Sequence, residues 1–519
     1  MTEQDYAIDS DENSDYMYDL IADVLKKIGP RGSCTKEERE ASILLTEKLK
    51  PFCDSVTIEK FETYPQLGLI SWTKRAAFLI LLSISIFIIP FFLRNTIISL
   101  ILSLISIGIC LLNLVHVAFE YLFCRQWSPK LFPYKPKTSQ NVVGVIKPLK
   151  QVKKRVIIGA HYDSAQRFNH LQYFREGYAF FLVGSIATLF TFLIIFVFQL
   201  IFSIIGFEIL FIISLLNITF SFLPILLATV ILGLTIVSAK LLNPEQQKKI
   251  IYGAFTRVTP QTTILLSSLI LYYLIIDVII GLFFIDSSLF KTLVLLLLNS
   301  IPYFYGLIFW LDKKAVPGAC DNLTAVAICC CIAKILNDWK NTNKFPKDTE
   351  VVIALFGCEE IGSKGAEAFG LSHKAVYNKI DSTCICLDTI EDAETIKIFT
   401  RENSTRTDYD PKIYNLLDES AKELKINHAV EQQPGITGGT DGSGVVRGGL
   451  RASAMVALKF GDYFYYYHSD RDNLSMINKK RKPRDDFGTG INDKNVRVAM
   501  ENALRILMLY LEKKDKESK

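Results

Sequence analysis

Hydrophobic positions are distributed very unevenly along the chain. Apolar residues run almost without interruption through Ala76 to Ala118, Ala179 to Ala239 and Thr262 to Leu311, while the first 75 residues and about the last 200 mix polar and apolar positions as water-exposed domains do. The first block divides into Ala76–Leu93 and Thr96–Ala118, stretches of about 18 and 23 residues. Each is long enough to cross a hydrocarbon core of roughly 30 Å. Together they predict a helical hairpin turning at Arg94 and Asn95. The later apolar sequence divides near Gly206 to Glu208, and again at Asp286-Ser287-Ser288 between Thr262–Phe284 and Leu289–Trp310. It predicts four further crossings, six in all, and the even number lets the polar segments on either side meet in one domain.

Those polar segments carry element signals of their own. The acidic start up to residue 15 predicts disorder, and Tyr16–Ile28 a short amphipathic helix ended by the turn Gly29-Pro30-Arg31-Gly32-Ser33. Thr35 and Glu38 have capping-box spacing for a helix reaching Leu49. Val56–Phe61 alternates as a half-buried strand does, and Asn141–Ile146 and Arg155–Ala160 are short β-branched runs that predict neighbouring strands. Beyond Cys320, helical runs at Leu323–Trp339, Pro411–Leu424 and Asn495–Lys513 alternate with apolar strands at Glu350–Phe356, Cys384–Leu387 and Ala452–Leu458. That alternation predicts an α/β domain with a mixed or mostly parallel sheet. The expected organisation is three pieces of one α/β domain, residues 16–75, 119–178 and 312–519, interrupted by membrane segments 76–118 and 179–311.

Composition changes this picture little. Half the residues are hydrophobic, and the formal charge of +5 is spread over loops and the cluster Lys479 to Arg484 rather than forming an aromatic-interleaved basic stripe. No nucleic-acid partner is expected. Of eleven cysteines, Cys329, Cys330 and Cys331 fall on an apolar helix and Cys384 and Cys386 on a strand, which predicts buried reduced thiols. No cleavable signal peptide is expected, because no basic start or apolar core precedes residue 76.

The candidate chemistry sits at strand ends. In α/β folds, ligand-bearing loops gather at the carboxyl ends of strands, and hydrolytic metals are held by His and carboxylates. Strand Arg155–Ala160 runs into His161-Tyr-Asp163-Ser164, strand Glu350–Phe356 into Gly357-Cys-Glu359-Glu360, and strand Cys384–Leu387 into Asp388. The aromatic run Tyr463–Tyr467 leads into His468-Ser-Asp470-Arg-Asp472, and Asp321 in Gly318-Ala-Cys-Asp-Asn322 opens a helix. Each motif alone is weak. Five in order at element ends are much stronger.

In this order the motifs resemble the co-catalytic zinc aminopeptidases of metallopeptidase family 28, a family that also contains glutamate carboxypeptidase, the transferrin receptor and glutaminyl cyclase. The resemblance rests on Asn141–Ile146, Val156–Ser164, Pro317–Ala327, Ile353–Phe369, Ile385–Asp388, Gly438–Gly444 and Tyr465–Asn473. It implies a zinc-aminopeptidase-like α/β fold and two zinc ions, with cobalt or manganese as alternatives. His161 and Asp388 would bind one ion and Glu360 and His468 the other, with Asp321 bridging. Glu359 would be the general base for attack by a metal-bound hydroxide on an amino-terminal peptide bond. Tyr467 would be a donor to the oxyanion. Asp163 is the expected partner of the second nitrogen of His161, and Asp472 a partner for the loop of His468.

The chain departs from the usual family spacing. The long separation between His161 and Asp321 is filled by the four-crossing block. Alternative readings are a glutaminyl-cyclase-like acyltransferase, an inactive peptidase-like receptor or scaffold, and a transporter using the intramembrane Asp277 and His116. The run Gly357-Cys-Glu-Glu-Ile-Gly-Ser-Lys-Gly-Ala resembles the peptidases more closely than the cyclases, and the ligand set is complete. The expected partners are therefore a peptide substrate and the lipid bilayer. Lysines and arginines such as Lys74, Arg75, Lys248, Lys249, Lys313 and Lys314 crowd one side of the crossings, against Arg94 and Lys291 on the other, so the catalytic domain is expected to face the cytoplasm.

Overall fold

In the computed structural model, the described residues are 10–65, 69–93, 96–119, 134–174, 193–194, 197, 200–201, 308–342, 344–433, 438–458, 466–477 and 496–517. The chain divides into two compact units, one made of Met1–Ile70, Ala118–Phe168 and Asp312–Lys519, the other of Ser71–Val117 and Asn169–Leu311.

The first unit is built on a nine-stranded mixed sheet in the order β1-β2-β6-β3-β7-β11-β8-β10, with β9 paired to β8. The strands are β1 (Ser55–Thr63), β2 (Lys137–Ile146), β3 (Lys154–His161), β6 (Thr349–Phe356), β7 (Asp381–Ile390), β8 (Ile396–Glu402), β9 (Thr407–Asp408), β10 (His428–Gln433) and β11 (Ala452–Ala457). Two short strands, β4 (Gln166–Phe168) and β5 (Leu311–Ala315), pair separately. At the centre β6, β3, β7 and β11 run parallel, while β1, β2 and β8 join antiparallel. Parallel neighbours deliver their carboxyl ends to one edge of the sheet, and the residues after β3, β6 and β7 therefore become neighbours in space.

Alternate residues of the central strands face two different cores, as the two-residue period of a strand requires. Val156, Ile158, Val351, Ile353 and Leu355 join one cluster with α1 (Ser10–Lys27), α2 (Lys36–Leu49), α3 (Thr324–Asp338), α5 (Pro411–Glu423) and α7 (Val496–Lys516). Ile157, Val352, Ala354 and Phe356 join the other, against α4 (Lys364–Tyr377) and α6 (Asp441–Arg447). Helix α3 is the hub of the first core. Its residues Thr324 to Ala333 are all buried, and Cys329, Cys330 and Cys331 are free thiols within it.

Several boundaries move relative to the sequence reading. Residues 10–15, expected in a disordered start, form the first turns of α1. They are held there because Ser14 Oγ accepts from Arg497 Nε at 2.7 Å and Asp15 pairs with the same guanidinium. Thr35 caps α2 as its spacing predicts, its hydroxyl accepting from Glu38 N. Strands β8 and β10 and helix α4 carried no clear periodic signal. The aromatic run Tyr463–Tyr467 lies outside the described residues as far as Tyr465.

Of the six expected crossings, the four-crossing block lies almost wholly outside the described residues. Within the second unit an apolar hairpin is described, with helices Leu69–Leu93 and Thr96–Val117, 25 and 22 residues long. The helices are stitched by Ser83 Oγ donating to Ser106 O at 2.9 Å and Asn113 Nδ2 donating to Ala76 O at 2.9 Å. Among the described residues, the one helix that passes a length-and-hydropathy test for crossing a membrane is Ala319–Asp338, and it is 94% buried inside the protein. Its apolarity is that of a core helix.

Gly365, near the start of α4, controls how closely that helix approaches the loop after β6. A Cβ there would lie 2.2 Å from Gly357 O and 2.5 Å from Asn141 Oδ1. Asn141 clamps the contact, donating to Gly365 O at 2.9 Å and accepting from Gly357 N at 3.1 Å. Backbone atoms on both sides leave little room for relaxation. Gly365→Ala should therefore destabilise the protein by about 1–3 kcal/mol, read as a lowered thermal unfolding midpoint; an unchanged midpoint would refute this account of the contact.

Candidate metal centre

His161 is the last residue of β3, and its imidazole is buried. Nδ1 lies 3.2 Å from the carbonyl oxygen of Asp163 and 3.5 Å from its carboxylate Oδ1, so Nε2 is the nitrogen that faces the centre. From Nε2, Asp321 Oδ1 is 3.3 Å away and Asp388 Oδ1 4.0 Å away. The other oxygen of Asp321, Oδ2, lies 3.4 Å from His468 Nε2, which is also 3.3 Å from Glu360 Oε2. One carboxylate thus presents a separate oxygen to each of two imidazoles. Ligand atoms of His161, Asp321 and Glu360 all fall within 4.8 Å of one another.

The turn that carries Asp321 is shaped from several directions. Gly318 has φ +64°, and a Cβ on it would meet Asp321 O at 2.6 Å and Ser164 Cβ at 2.7 Å. Asp472 accepts from the backbone N–H of Cys320 at 2.7 Å and of Asp321 at 3.1 Å. Asp472, expected as a partner for the loop of His468, thus anchors the Asp321 turn through these two N–H groups. Asn322 donates to Leu387 O at 2.9 Å and accepts from Thr389 N at 3.1 Å, fixing the end of β7 where Asp388 sits.

Asp163 does more than touch His161. It accepts from Glu359 N at 3.0 Å, from Glu360 N at 3.3 Å and from Ser33 Oγ at 2.6 Å, joining the loop after β3 to the loop after β6. Glu359 Oε1 accepts from Ser363 Oγ at 3.2 Å. Tyr467 stacks on His468 with ring centroids 3.8 Å apart, and Phe168 meets the same imidazole edge-on at 4.3 Å. The structure thus brings His161, Asp163, Asp321, Glu359, Glu360, Asp388, Tyr467, His468 and Asp472 into one neighbourhood.

Three further residues belong to it. The guanidinium of Arg31, fully buried, donates to the carbonyls of Tyr162 at 2.7 Å, Gly29 at 2.7 Å, Pro317 at 2.8 Å and Gly318 at 3.1 Å. It stitches the His161 loop to the Asp321 turn. The carboxylate of Glu38 accepts from Cys358 N at 3.0 Å, Ser139 Oγ at 2.9 Å and Cys34 N at 2.9 Å, so the helix-capping glutamate also holds the residue before the base. Asp441, at the start of α6, is buried, and among the described residues both its carboxylate oxygens lack hydrogen-bond partners. The sequence signals for these three were a turn, a cap and a Gly-rich loop, none of which reports long-range contacts.

Charge is the dominant feature of the site. Burial pushes Glu359 and Glu360 well above the usual carboxylate range, with neighbouring carboxylates adding to the rise. Asp388 is pushed up to about 7, chiefly by burial, and Asp441 rises for the same reason. Burial also acts on Asp321, but the facing imidazoles of His161 and His468 outweigh it and hold that carboxyl below the ordinary range. For His161 burial opposes protonation, yet Asp163 and Asp321 raise it well above an ordinary imidazole. Buried carboxylates in this number require compensating positive charge. Among the described residues, Glu360 Oε1 and both ring nitrogens of His468 are buried without hydrogen-bond partners. Two imidazoles and several carboxylates of this kind fit divalent cations of the zinc type.

Residues 307–484 match the model of Peptidase family M28. The chain is similar to that peptidase family over this segment, which holds Asp321, Glu359, Glu360, Asp388 and His468. No curated protein sequence matches the chain significantly. Similar solved structures include a zinc aminopeptidase from Bacillus subtilis, at 12% identity and TM-score 0.44 over 97% of this chain and 96% of that one. The LapA aminopeptidase of Legionella pneumophila matches at 10% identity and TM-score 0.44, over 100% of this chain and 76% of its own. The glutaminyl cyclase of Porphyromonas gingivalis matches at 10% identity and TM-score 0.43, over 96% and 98%. At those scores they describe likeness only.

The four carbonyls gathered by Arg31 would be orphaned by an apolar side chain, and Asp163 and Asp472 would lose a buried countercharge. Arg31→Leu should cost about 3–5 kcal/mol, the usual penalty for removing one partner of a buried charged group. Chemical denaturation would show it, and a loss under 1 kcal/mol would mean that the loops hold without it.

Proposed function

We propose that this chain is a membrane-embedded aminopeptidase working with two zinc ions. The observation that carries the reading is the split carboxylate of Asp321, whose two oxygens face His161 and His468 separately. One position would be held by His161, Asp388 and Asp321, the other by Glu360, His468 and Asp321. Zinc bound there supplies Lewis acidity toward a peptide carbonyl and toward water.

The remaining steps belong to this chain's side chains. Glu359 lies beside the ligand Glu360 but hydrogen-bonds Ser363, which leaves it available as a proton carrier. Its raised proton affinity suits a group that takes a proton from the attacking water and delivers it to the departing amine near neutral pH. Tyr467, whose ring stacks on His468, would serve as the hydroxyl donor to the developing oxyanion.

Membrane embedding draws support from the hairpin. Its helices would be about 33–37 Å long at 1.5 Å per residue, enough for a hydrocarbon core. Large apolar side chains stand out from it, with Phe78 at 63% and Ile97 at 73% exposure. In water such a surface would be costly; in lipid it is at home.

Glu359→Gln should keep the bound metal but lower kcat roughly 10² to 10⁴-fold, whereas Asp321→Ala should lose metal as well as turnover. Hydrolysis of aminoacyl amides with metal analysis of the same samples separates the two. A free amino terminus should be required, so equal turnover of acetylated and unblocked peptides would rule out the aminopeptidase reading.

The catalytic unit is proposed to face the cytoplasm, on the basis of the Lys and Arg bias. In intact cells an impermeant thiol reagent should label a cysteine introduced at Ser287, and should label one at the exposed Lys379 only after lysis. The reverse pattern would invert the topology.

A further inference from the structure

Two cysteines 324 positions apart in sequence meet beside the proposed base: Cys34 Sγ lies 3.3 Å from Cys358 Sγ. Cys358 immediately precedes Glu359, and Cys34 immediately precedes the cap of α2. A single carboxylate holds both. Glu38 Oε2 accepts from Cys34 N at 2.9 Å, while Oε1 accepts from Cys358 N at 3.0 Å and from its thiol at 3.4 Å. The two sulfurs are therefore positioned by fixed backbone contacts on both sides.

Accessibility singles out this pair. Of the ten free cysteines among the described residues, eight are buried, and only Cys34 and Cys53 are partly exposed. Cys384 and Cys386 also approach, at 3.8 Å, but both are buried and sealed from an oxidant. Cys34 offers solvent a partly exposed thiol whose nearest reactive neighbour is buried behind it. Cys34, Glu38 and Cys358 could also be considered as metal ligands. Against that, both oxygens of Glu38 already accept two donors each, from Cys34 N and Ser139 Oγ and from Cys358 N and Sγ.

We propose that Cys34 and Cys358 are a modification site, a thiol pair that a peroxide closes to a disulfide and a reductant reopens, with Glu359 displaced in the closed form. The sulfur of Cys34 attacks one oxygen of hydrogen peroxide, forming an S–O bond as the O–O bond breaks and water leaves. The sulfur of Cys358 then displaces the sulfenic oxygen as a second water and forms the S–S bond. Two thiols lose two electrons and two protons, and one peroxide becomes two waters. Closing to about 2.05 Å moves the sulfurs together by over an ångström and removes the thiol donor from Glu38. The peptide carrying Glu359 is attached directly to the moving residue. A misplacement of about 1 Å in a catalytic group costs on the order of 10²-fold in rate.

The effect on turnover rests on the reading of Glu359 as the base; the closure itself does not. The full-length protein in detergent is treated with hydrogen peroxide, its remaining thiols are alkylated, and the digest is analysed by mass spectrometry. The expected product is a peptide pair linked through Cys34 and Cys358, absent after dithiothreitol. Aminopeptidase kcat should fall at least ten-fold, be restored by dithiothreitol, and resist peroxide in Cys34→Ser, whose untreated activity equals that of the parent. Recovery of both cysteines as alkylated thiols, or of Cys34 as a sulfinic acid beside an alkylated Cys358, would overturn the pair. A linked pair with unchanged kcat would overturn its coupling to the base. Absence of hydrolysis in the reduced protein would instead count against the functional reading, with the linked peptide still deciding the closure.

Discussion

The arrangement around Asp321 governs the rest of the catalytic unit. Its two oxygens lie between His161 and His468, side chains that come from β3 and from the loop before α7. Holding one carboxylate between two rings from such distant segments requires that the intervening sheet be parallel at its centre, so that the loops after β3, β6 and β7 open on the same edge. The price is a concentration of buried acid that hydrogen bonds alone do not neutralise. Arg31 and the imidazole of His161 are the positive groups set against it, and the atoms of Glu360, His468 and Asp441 without hydrogen-bond partners among the described residues mark where the compensation is incomplete.

Around that centre, carboxylates also serve as structural hinges between loops. Asp163 receives N–H groups from Glu359 and Glu360, Asp472 from Cys320 and Asp321, and Glu38 from Cys34 and Cys358. In each case an acid on one loop orients the backbone of another. Charge-assisted bonds of this kind are stronger than neutral ones and more demanding in direction. Moving any of these loops therefore disturbs a second one. The Cys34–Cys358 contact acts at such a junction, where a change of about an ångström is transmitted along the backbone to the adjacent glutamate.

His161, Glu360 and Asp388 were legible in the sequence because each follows a short apolar strand-like run, whereas Asp321 opens a helix and His468 ends an aromatic run. The strand-like runs became β3, β6 and β7 with ends shifted by at most three residues. Strands β8 and β10 were not legible. His428–Gln433 mixes charged and polar residues with few apolar ones, as an edge strand with a solvated face does, while Ile396–Glu402, between β11 and β10, interrupts its apolar residues with Lys397, Thr400, Arg401 and Glu402. Arg31 read as a turn residue and Glu38 as a cap, and both descriptions hold locally. What they missed is that the remaining capacity of each side chain is spent on segments more than a hundred positions away. Local periodicity carries no information about such contacts. The pairing of Cys34 with Cys358 escaped notice for the same reason.

The catalytic unit also shows how a long insertion can leave its site intact. Residues 169–311 leave the unit after Phe168 and the chain re-enters at Asp312. Arg167 bridges these two points, pairing with Asp312 and, at 2.9 Å, with Asp470. Phe168 N donates to His468 O at 2.8 Å while its ring meets the imidazole, so the root of the insertion supports a candidate ligand directly. Because closure entropy grows only with the logarithm of loop length, a root fixed in this way makes the length of the inserted chain nearly irrelevant to the geometry of the centre. What the insertion must preserve is the position of its two ends, and the ion pairs of Arg167 set that position within the unit that carries the chemistry.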